Sequence, residues 1–548
     1  MQSEKRNCRN CSKDFLIEPE DFVFYEKVRV PPPTWCPECR LIRRLLWRNE
    51  RSLYKRKCDA PGHTEDIISF IAPEKPYTVY CQKYWWSDSW DALQYGRDYD
   101  LNRPFFDQFR ELLQDVPAAS FSSNFTTMVN SEYSNWAGDC KNCYLVTDAD
   151  HIEDSAYCSS IVKSKDCFDC DQTAYSELCY DSFNIGKCSR CVGLVNCAAC
   201  IDTFFSKNCS GLTNCFGCVN LRNKSYYIWN KPYTKEAYFA EIKKIFDGSR
   251  ASYENAKEEA ASFWRKFPEK YYLGSQNQDV TGDYIEHSKN VRNGYLVSDV
   301  EDSAYVALIH SPTTKDCFDY TDWGENAQRV YESIGCGLGI DSIRFSVLVF
   351  LESHDVEYSR WCRNVSNLFG CTGLVKKQYC ILNKQYSKEE YERLIQKIRK
   401  HMVSTGEYGE FFPPKLSLFS YNESAAQDFF PTNKEAALKR GFTWREREKR
   451  SYTTGGDVLE CIHRGECEHD CPGAFRIIKP EAEFYMKMGL PNPKLCPNCR
   501  RRERVQYRHP YGLYTRRCAK CNTEVMTSYA PENPMVIYCE QCYKTEVA

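Results

Sequence analysis

The residues with the clearest chemical potential are cysteines that occur in pairs near the start of the chain. Cys8 and Cys11 form one pair, and Cys36 and Cys39 form a second. Two residues between paired cysteines let one tight turn present two thiolates to one metal ion, and two such pairs supply the four ligands of a tetrahedral zinc site. Buried cysteines without a metal are the alternative, but the paired spacing favours zinc.

Cysteine pairs recur near the end of the chain, and the corresponding residues are Cys467, Cys471, Cys496 and Cys499. The first of these pairs contains one residue more than its N-terminal counterpart. Cys461, His463 and His469 lie close in sequence, so an exchange of ligands is open at this end. Four protein ligands leave no coordination position for water, and both sites are therefore expected to be structural rather than catalytic.

A second set of ligands follows at each end. At the C-terminus the set is complete, with Cys518, Cys521, Cys539 and Cys542. At the N-terminus Cys58, His63 and Cys81 are followed by Tyr84, at the position of the fourth cysteine. Either the three residues hold a three-ligand site, or the metal has been lost and nearby tryptophans pack the gap. Loss is favoured because an open coordination position implies catalysis and no general base is evident beside it, which leaves about three structural zinc ions per chain.

The elements that must hold these cysteines are repeated at the two ends. Tyr25 precedes Cys36 by 11 residues, and Tyr485 precedes Cys496 by 11. The segment CPECRLIRRLLWRNE has proline in its first turn and no helix breaker, which predicts a helix that begins at the second cysteine pair. A cysteine knuckle, a hairpin over FLIEPEDFVFYEK and this helix form the treble-clef arrangement, and the equal spacing predicts one duplicated module.

The middle of the chain is also duplicated. NCYLV at 142–146 corresponds to NGYLV at 293–297, and DCFDC at 166–170 corresponds to DCFDY at 316–320. Within the first copy, aromatic or apolar residues recur about every 12 positions, between short runs that contain Asn, Gly, Ser and Asp. Short strands and tight turns at a constant period predict a β-solenoid that resembles a parallel β-helix, in which two repeats make one coil.

The predicted fold class is therefore mostly β with some α, a central duplicated β-solenoid flanked by N- and C-terminal treble-clef and zinc-ribbon modules. Thr234 and Ser387 are expected to cap two related helices, and residues 408–457 are expected to form an extended connector. The predicted units are a treble clef (1–57), a degenerate zinc ribbon (58–100), a linker helix (101–117), solenoid half 1 (118–232), a helical insert (233–273), solenoid half 2 (274–385), a helix and connector (386–457), a treble clef (458–517) and a zinc ribbon (518–548).

Thirteen cysteines lie between residues 140 and 218, and several are spaced as in a metal site. Additional zinc or an iron–sulfur cluster is one interpretation, and a core in which cysteine acts as a small apolar residue is the other. In the second copy Cys158 corresponds to Val306 and Cys170 to Tyr320. Metal ligands are not exchanged for valine or tyrosine where the metal is kept, so the core interpretation is favoured.

Two strongly basic stretches follow the second cysteine pairs. Residues 40–57 hold eight Lys and Arg and one Glu, and residues 500–517 hold seven Arg and one Glu, although the whole chain has a net charge of −2. Basic groups for phosphates, interleaved with aromatic rings for stacking, are what RNA contact requires. A solvated helix that pairs with the acidic remainder of the chain is the alternative. The candidate RNA-binding residues are Arg40, Arg44, Arg48, Arg51, Arg500, Arg504 and Arg508.

Composition restricts the class of protein. With 42% hydrophobic and 27% charged residues over 548 positions, the chain is globular and large enough for several domains. The first residues contain no apolar signal region and no run of 18 apolar residues is present, which predicts a cytoplasmic protein with reduced cysteines and no membrane span. No Walker loop, HExxH or GxSxG is present, so no catalytic residue is assigned.

Four segments carry a resemblance to known sequences. They are CPECRLIRRLLWRNERSLYKRKC, WWSDSWDALQYGRDYDLNRPFFDQF, EFFPPKLSLFSYNES and FPTNKEAALKRGFTW. The chain resembles, over essentially its whole length, a group of uncharacterised bacterial proteins from candidate-phylum lineages that have paired zinc-ribbon or treble-clef ends. The resemblance implies zinc binding and a cytoplasmic setting, and it implies no activity. The chain departs from the group at Tyr84, where the pattern has a cysteine.

These observations favour a zinc-binding scaffold that presents two basic zinc ends to a macromolecular partner, either RNA, a ribonucleoprotein or another protein. The alternative is an enzyme that acts on a polymer in the groove of the solenoid. A cluster of acidic and basic groups on one solenoid face would favour the enzyme.

Overall fold

The computed structural model describes residues 2–322, 324–325, 327–340, 342–446, 455, 457–467 and 470–547. The protein is mostly β-sheet with some α-helix, and cysteine clusters lie at both ends. All 33 cysteines are among the described residues, and none of them forms a disulfide bond. Across these described ranges, no helix combines the length and the apolar character needed to cross a bilayer.

The N-terminal module (residues 2–119) begins with two short antiparallel strands around the first cysteine pair. Its elements are β1 Glu4–Asn7, β2 Asp14–Ile17, α1 Pro19–Lys27, α2 Pro37–Leu45, β3 Tyr54–Lys57, β4 Asp66–Ser69, β5 Val79–Tyr80, α3 Gln82–Trp85, α4 Phe105–Asp115 and β6 Ala118–Ala119. The helix predicted at the second cysteine pair is confirmed as α2. The hairpin expected over FLIEPEDFVFYEK is wrong, because Pro19, Glu20 and Asp21 provide a helix start and the segment continues as α1.

Parallel strands form the first ladder (residues 129–232). They are β7 Asn135–Lys141, β8 Thr147–Glu153, β9 Ser159–Ala174, β10 Glu177–Gly186, β11 Ser189–Val192, β12 Val195–Ala198, β13 Ile201–Phe204, β14 Thr213–Phe216 and β15 Ser225–Ile228, followed by the antiparallel β16 Lys231–Pro232. Paired residues of neighbouring parallel strands are twelve positions apart, so that Cys167 lies beside Cys179 and Cys179 beside Cys191. One 12-residue repeat therefore forms each rung, and the expectation of two repeats per coil is wrong.

Every third residue along a rung has a positive φ. In the rung that contains most of β9, Asp166, Asp169, Gln172 and Tyr175 have φ between 50° and 54°. Asp and Asn tolerate this left-handed region better than most residues because their short polar side chains form local hydrogen bonds. Backbone turns that recur at this interval explain why Asn, Asp and Gly are so frequent in this part of the sequence.

The residue after each of these turns is buried. In the same rung these residues are Cys167, Cys170, Thr173 and Ser176, and all four are buried. Buried positions three residues apart give the spacing of Cys-x2-Cys pairs through the backbone repeat alone, and small side chains occupy these positions. Cys167 Sγ donates to the Lys165 carbonyl at 3.4 Å, and Ser176 Oγ donates to the Ala174 carbonyl at 2.9 Å. Cysteine and serine therefore have the same role in this core.

A helical segment connects the first ladder to the second ladder (residues 274–385). The connecting elements are α5 Lys235–Ile245, α6 Arg250–Trp264 and β17 Glu269–Lys270. The second ladder contains β18 Gly274–Ser275, β19 Gln278–Glu286, β20 Lys289–Ala304, β21 Ala307–Lys315, β22 Tyr331–Ile334, β23 Arg344–Phe350, β24 His354–Glu357, β25 Arg360–Arg363, β26 Ser366–Phe369, β27 Gln378–Ile381 and the antiparallel β28 Lys384–Gln385. Its parallel register is less regular, since Gly274 pairs with Ile285 and Val300 with Thr314.

The remaining elements cover the surface of the ladders and form the C-terminal module (residues 457–547). They are α7 Lys388–Ser404, α8 Ala425–Phe429, α9 Lys434–Lys439, β29 Val458–Glu460, β30 Ala474–Arg476, α10 Lys479–Met488, α11 Pro497–Val505, β31 Tyr514–Arg517, β32 Glu524–Thr527, β33 Ile537–Tyr538 and α12 Glu540–Val547. The predicted caps are confirmed, because the side chains of Thr234 and Ser387 accept hydrogen bonds from the first turns of α5 and α7. The expected extended connector contains α8 and α9, and its residues 447–454 and 456 lie outside the described residues.

The two terminal modules are docked crosswise on the ladders. In the N-terminal module, Phe24 of α1 stacks on Phe318 of the second ladder with ring centroids 3.8 Å apart. In the C-terminal module, Phe484 of α10 stacks on Phe168 of the first ladder at 4.4 Å. Each module also contacts the other ladder. Asn135 Nδ2 of the first ladder donates to the Asn49 carbonyl of the N-terminal module at 2.8 Å, and His509 Nδ1 of the C-terminal module lies 2.9 Å from Asp283 Oδ2 of the second ladder. Each module therefore links the two ladders.

Candidate metal centres

Group 1 consists of Cys8, Cys11, Cys36 and Cys39, whose sulfur atoms all lie within 4.8 Å of one another. Cys8 and Cys11 lie in the turn between β1 and β2, and Cys36 and Cys39 lie at the start of α2. The Cys36 amide donates to Cys8 Sγ at 3.2 Å, and the sulfurs of Cys11 and Cys36 are 3.8 Å apart. Hydrogen bonds from Cys36 and Cys39 hold the pKa of Cys8 well below its usual range. The donor set fits zinc, because zinc–sulfur bonds of about 2.3 Å give tetrahedron edges of about 3.8 Å.

Group 2 consists of Cys461, Cys471, Cys496 and Cys499. Cys461 follows β29 and accepts the Cys496 amide on Sγ at 3.3 Å, as Cys8 follows β1 and accepts the Cys36 amide. Cys471 lies 3.8 Å from Cys496. In the structure Cys461 therefore takes the place for which the sequence analysis chose Cys467. The spacing concealed it, because nine residues separate Cys461 from Cys471 and only two separate Cys8 from Cys11.

The longer segment between Cys461 and Cys471 carries further ligand-type side chains. His463 Nδ1 lies 3.3 Å and Cys467 Sγ lies 3.6 Å from Cys499 Sγ, and the three residues form a second group that overlaps with group 2. Cys467 thus stays beside the centre without belonging to the four-cysteine group. His463 and Cys467 are therefore the two side chains that lie close enough to Cys499 for the exchange of ligands that the sequence leaves open. His469 lies outside the described residues.

Group 3 consists of Cys518, Cys521, Cys539 and Cys542, as the sequence predicts. The Cys539 amide donates to Cys518 Sγ at 3.3 Å, and the sulfurs of Cys521 and Cys539 are 3.7 Å apart. A hydrogen bond with Thr523 lowers the pKa of Cys521 to about 6. These four sulfurs present the same donor chemistry as group 1 in a more exposed setting.

Group 4 lies in the N-terminal ribbon (residues 54–86) and consists of Cys58, His63, Glu65 and Cys81. From the sequence, loss of this metal is the favoured interpretation, with neither a fourth ligand nor a base evident. The structure places Glu65 at the open position, with its Oε1 2.7 Å from His63 Nδ1. Trp85 does not fill a gap at this group, because its indole donates to the Pro117 carbonyl at 3.0 Å and its ring packs against Trp361.

Two of the arginines assigned to RNA in the N-terminal module, Arg40 and Arg44, are buried against the second ladder. Arg40 Nε donates to Asp319 Oδ2 and Arg44 Nη1 donates to Asp319 Oδ1, both at 2.9 Å. All three side chains are at most 1% exposed. Burial lowers the pKa of Arg40, but Asp319 outweighs this effect and holds it above the usual value. The two guanidinium groups neutralise an internal carboxylate and are not available to phosphates.

The C-terminal module repeats this arrangement on the first ladder. Arg500 Nε and Arg504 Nη1 each lie 2.9 Å from a carboxylate oxygen of Asp169. Arg504 Nε also donates to Asp171 Oδ2 at 2.9 Å. The guanidinium of Arg500 lies 5.0 Å from the ring centre of Tyr157, and the guanidinium of Arg40 lies 5.0 Å from that of Tyr305.

Three further arginines join the ladders and the connector. Arg48 contacts Asp148 of the first ladder at 2.8 Å and Asp322 of the second at 2.5 Å, and its own side chain is 2% exposed. Arg51 Nη2 donates to the Asp428 carboxylate at 3.1 Å, and Arg508 Nη2 donates to the carbonyl of the same residue at 2.6 Å. The assignment of Arg48 to RNA is therefore corrected, because its buried charge serves contacts within the chain. Arg51 and Arg508 are partly exposed and bind Asp428.

Cysteines of the ladders belong to the core. Burial raises the pKa of Cys317 to about 12 and that of Cys336 to about 11. The core interpretation made from the sequence concerned the thirteen cysteines between residues 140 and 218, and all of them are buried with Ile and Leu side chains in one apolar cluster of the first ladder.

Comparisons with known proteins give no family for this chain. No protein-family model matches the sequence, and no curated protein matches it. Among solved structures, a provisionally assigned acetyltransferase from Desulfovibrio desulfuricans G20 is matched with 9% sequence identity and a TM-score of 0.10, over 45% of this chain and 65% of the other. The chain thus spans less than two thirds of that protein, and a likeness at this TM-score carries no argument about fold or activity.

Proposed function

We propose that the protein is a zinc-dependent scaffold that binds a macromolecular partner. Groups 1, 2 and 3 each hold one structural zinc ion, and the two ladders are the halves of a duplicated β-solenoid. The all-cysteine donor sets and their sulfur–sulfur separations of 3.7–4.0 Å support this assignment. A small module with a thin core gains about 10–16 kcal/mol of apparent binding energy from such an ion. A reducing cytoplasm would keep the thiols able to bind it.

The crosswise docking of the terminal modules is the observation that carries the proposal. α2 and α11 both begin at metal-binding cysteines, and each inserts arginines into carboxylates of a ladder. A metal ion that fixes the start of the helix also fixes the direction in which Arg44 or Arg504 points. The zinc modules therefore act as clamps that hold the two ladders in one arrangement, which is what a binding platform needs.

A face of the first ladder offers a surface for the partner. Tyr175 is 55% exposed there, and Lys163 Nζ lies 5.4 Å from its ring centre. Glu153 lies between Lys141 and Lys165, at 3.9 Å and 3.3 Å. Alternating charges around an exposed aromatic ring suit a protein surface better than a polyanion, which needs basic groups of one sign. The partner we infer is therefore a protein.

An enzyme that acts on a polymer is the second candidate, because this same face carries acidic and basic groups together. Glu153 lies close to Lys165, and His151 forms a 2.9 Å contact with Asp150. These groups are about half exposed and paired with one another, which is also the ordinary condition of surface charges. The two candidates differ in what they predict for turnover.

Affinity purification with the zinc-loaded chain from its native host tests the proposal. A protein partner should be retained by the wild type and lost by Tyr175→Ala with Lys163→Ala, while the matched change Tyr133→Ala, an exposed tyrosine elsewhere on the chain, keeps it. Elemental analysis should give at least three zinc ions per chain. A chain that retains no protein but cleaves or modifies a polymer, with activity lost in Glu153→Gln, would replace the scaffold by the enzyme.

A further inference from the structure

Group 4 brings four ligand-type side chains together where the cysteine pattern is incomplete. His63 Nδ1 lies 3.6 Å from Cys58 Sγ and 3.6 Å from Cys81 Sγ. A tetrahedral zinc ion with one nitrogen and two sulfur ligands has nitrogen–sulfur edges of about 3.6 Å, from bond lengths of about 2.1 and 2.3 Å. Glu65 Oε1 lies 2.7 Å from His63 Nδ1, at hydrogen-bond distance, and belongs to the same group of ligand-type atoms.

The backbone around group 4 is that of a complete four-cysteine site. The Cys81 amide donates to Cys58 Sγ at 3.2 Å, and in group 3 the Cys539 amide donates to Cys518 Sγ at 3.3 Å. A two-stranded antiparallel sheet follows the same course in both, β3 with β4 and β31 with β32. The sheet and the amide–sulfur hydrogen bond that position two cysteines in group 3 are thus also present in group 4, where a tyrosine stands at the position of the fourth cysteine.

Tyr84 stands three residues after Cys81, at the position that Cys542 has after Cys539. Its ring packs edge-on against the His63 imidazole, with centroids 5.1 Å apart. This contact orients the imidazole so that Nδ1 faces the two sulfurs. Tyr84 therefore stands at the position of a cysteine ligand and packs against the histidine ligand, His63.

We propose that Cys58, His63, Glu65 and Cys81 form a fourth metal site, which binds zinc through two thiolates, one imidazole nitrogen and one carboxylate oxygen. Two thiolates in place of four weaken the charge attraction for the ion, and a carboxylate is a harder and poorer partner for zinc than sulfur. The Glu65 side chain is 51% exposed and that of His63 is 27% exposed, so water can compete for both positions. The site should release its zinc before groups 1, 2 and 3 do.

An exchangeable ion at group 4 would act on the junction between the N-terminal ribbon and the first ladder. The N-terminal ribbon carries β5, which pairs in parallel with β6 at the entry to the first ladder. Cys81 directly follows β5. Occupancy of group 4 would therefore link the available zinc to the attachment of this ribbon, a role that the scaffold proposal does not require.

Native mass spectrometry of the full chain, saturated with zinc and then exposed briefly to EDTA, tests the site. Before chelation the wild type should carry one ion more than His63→Ala, and brief chelation should remove that ion first. Asp88→Ala, which removes an exposed carboxylate near the ribbon but outside group 4, should keep the wild-type count. Tyr84→Cys should keep the fourth ion through the same chelation, because a third thiolate replaces the carboxylate.

Equal zinc counts in saturated wild type and His63→Ala would overturn the proposal, as would a Tyr84→Cys variant that holds no more zinc after chelation than the wild type. Cobalt substitution gives an independent reading, since the difference spectrum between wild type and His63→Ala should show thiolate-to-cobalt bands of a two-sulfur site. A count below three in every variant would instead contradict groups 1 to 3 and the scaffold proposal, so the two failures are distinguishable.

Discussion

Arg44 and Asp319 form an ion pair in which Nη1 and Oδ1 are 2.9 Å apart and both side chains are completely buried. The first belongs to α2, the helix of the N-terminal module that begins at the cysteines of group 1, and the second to a turn of the second ladder. Arg40 binds the other oxygen of the same carboxylate. Two buried positive charges thus depend on one aspartate, which makes this contact the point at which the docking can be tested.

Asp319→Asn should lower the free energy of unfolding by about 3–5 kcal/mol, because it leaves buried guanidinium groups without their counter-charge. Asn accepts the left-handed backbone of this position, where φ is 59°, so that the change removes the charge with little backbone strain. Urea unfolding of the zinc-loaded protein measures the effect.

Asp316→Asn is the matched control, since Asp316 also has a left-handed φ, of 49°, and pairs with Arg329 at 3.5 Å in an exposed contact. Its loss should change stability by less than about 1 kcal/mol. On the first ladder, Asp169→Asn and its control Asp166→Asn should behave in the same way. Equal effects of buried and exposed substitutions would show that the ion pairs do not hold the modules.

Cys461→Ser should remove one zinc ion per chain and lower the thermal unfolding temperature, because Cys461 belongs to the four-cysteine group 2. Cys467→Ser should leave the number of ions in group 2 unchanged, since Cys467 lies beside the group and not in it. Elemental analysis of both variants, purified in parallel, decides between them. Loss of zinc from Cys467→Ser alone would restore the assignment made from the sequence.

Cys179→Ser should change the free energy of unfolding by less than about 1.5 kcal/mol and leave the zinc count unaltered. Cys179 Sγ donates to the Glu177 carbonyl at 3.4 Å, and Ser182 Oγ donates to the Tyr180 carbonyl in the next buried position. Cys179→Leu is the matched opposite case, because added volume inside a 12-residue rung should destabilise by about 1–3 kcal/mol. A loss of metal in Cys179→Ser would identify a ligand in the ladder.

The repeats in the sequence were sufficient to predict the duplicated modules and the mostly β class, because equal spacing directly reflects equal local structure. The repeats were not sufficient to predict how many residues form one rung. A period of 12 fits either a half coil or a full rung, and only the pairing of Cys167 with Cys179 decides. The same ambiguity affected the Cys-x2-Cys pairs of the middle region, where three-residue turns generate the spacing of a metal knuckle.

The sequence predicted the ligands of groups 1 and 3, in which two residues separate the members of each cysteine pair. It missed Cys461 of group 2, where the pair is widely spaced, and Glu65 of group 4, where the ligand types are mixed. Cys461 was not identified as a ligand because a longer segment separates it from Cys471. Glu65 was not identified because a carboxylate close to a histidine is common on protein surfaces. The signal for the buried ion pairs was present. Asp169 and Asp319 occupy the same place in the two copies of the DCFD segment, and Arg40 and Arg44 lie one helical turn apart. Which charges meet depends on crosswise docking, and nothing local in the sequence encodes that.

RNA binding provides the last test, because the sequence and the structure predict opposite results for it. If the basic stretches faced phosphates, affinity for single-stranded RNA would fall steeply with salt, with a slope of about −0.7 per phosphate neutralised. The structure places the charges of Arg44 and Arg504 on internal aspartates, so we expect the zinc-loaded wild type to bind a short RNA no better than a neutral control protein at physiological salt. Fluorescence anisotropy over a salt series measures this. Lys55→Gln with Lys57→Gln is the control, since these two side chains are 67–69% exposed on β3. Binding that is tight, salt-dependent and insensitive to the lysine changes would show that the arginine helices leave their carboxylates and reach RNA.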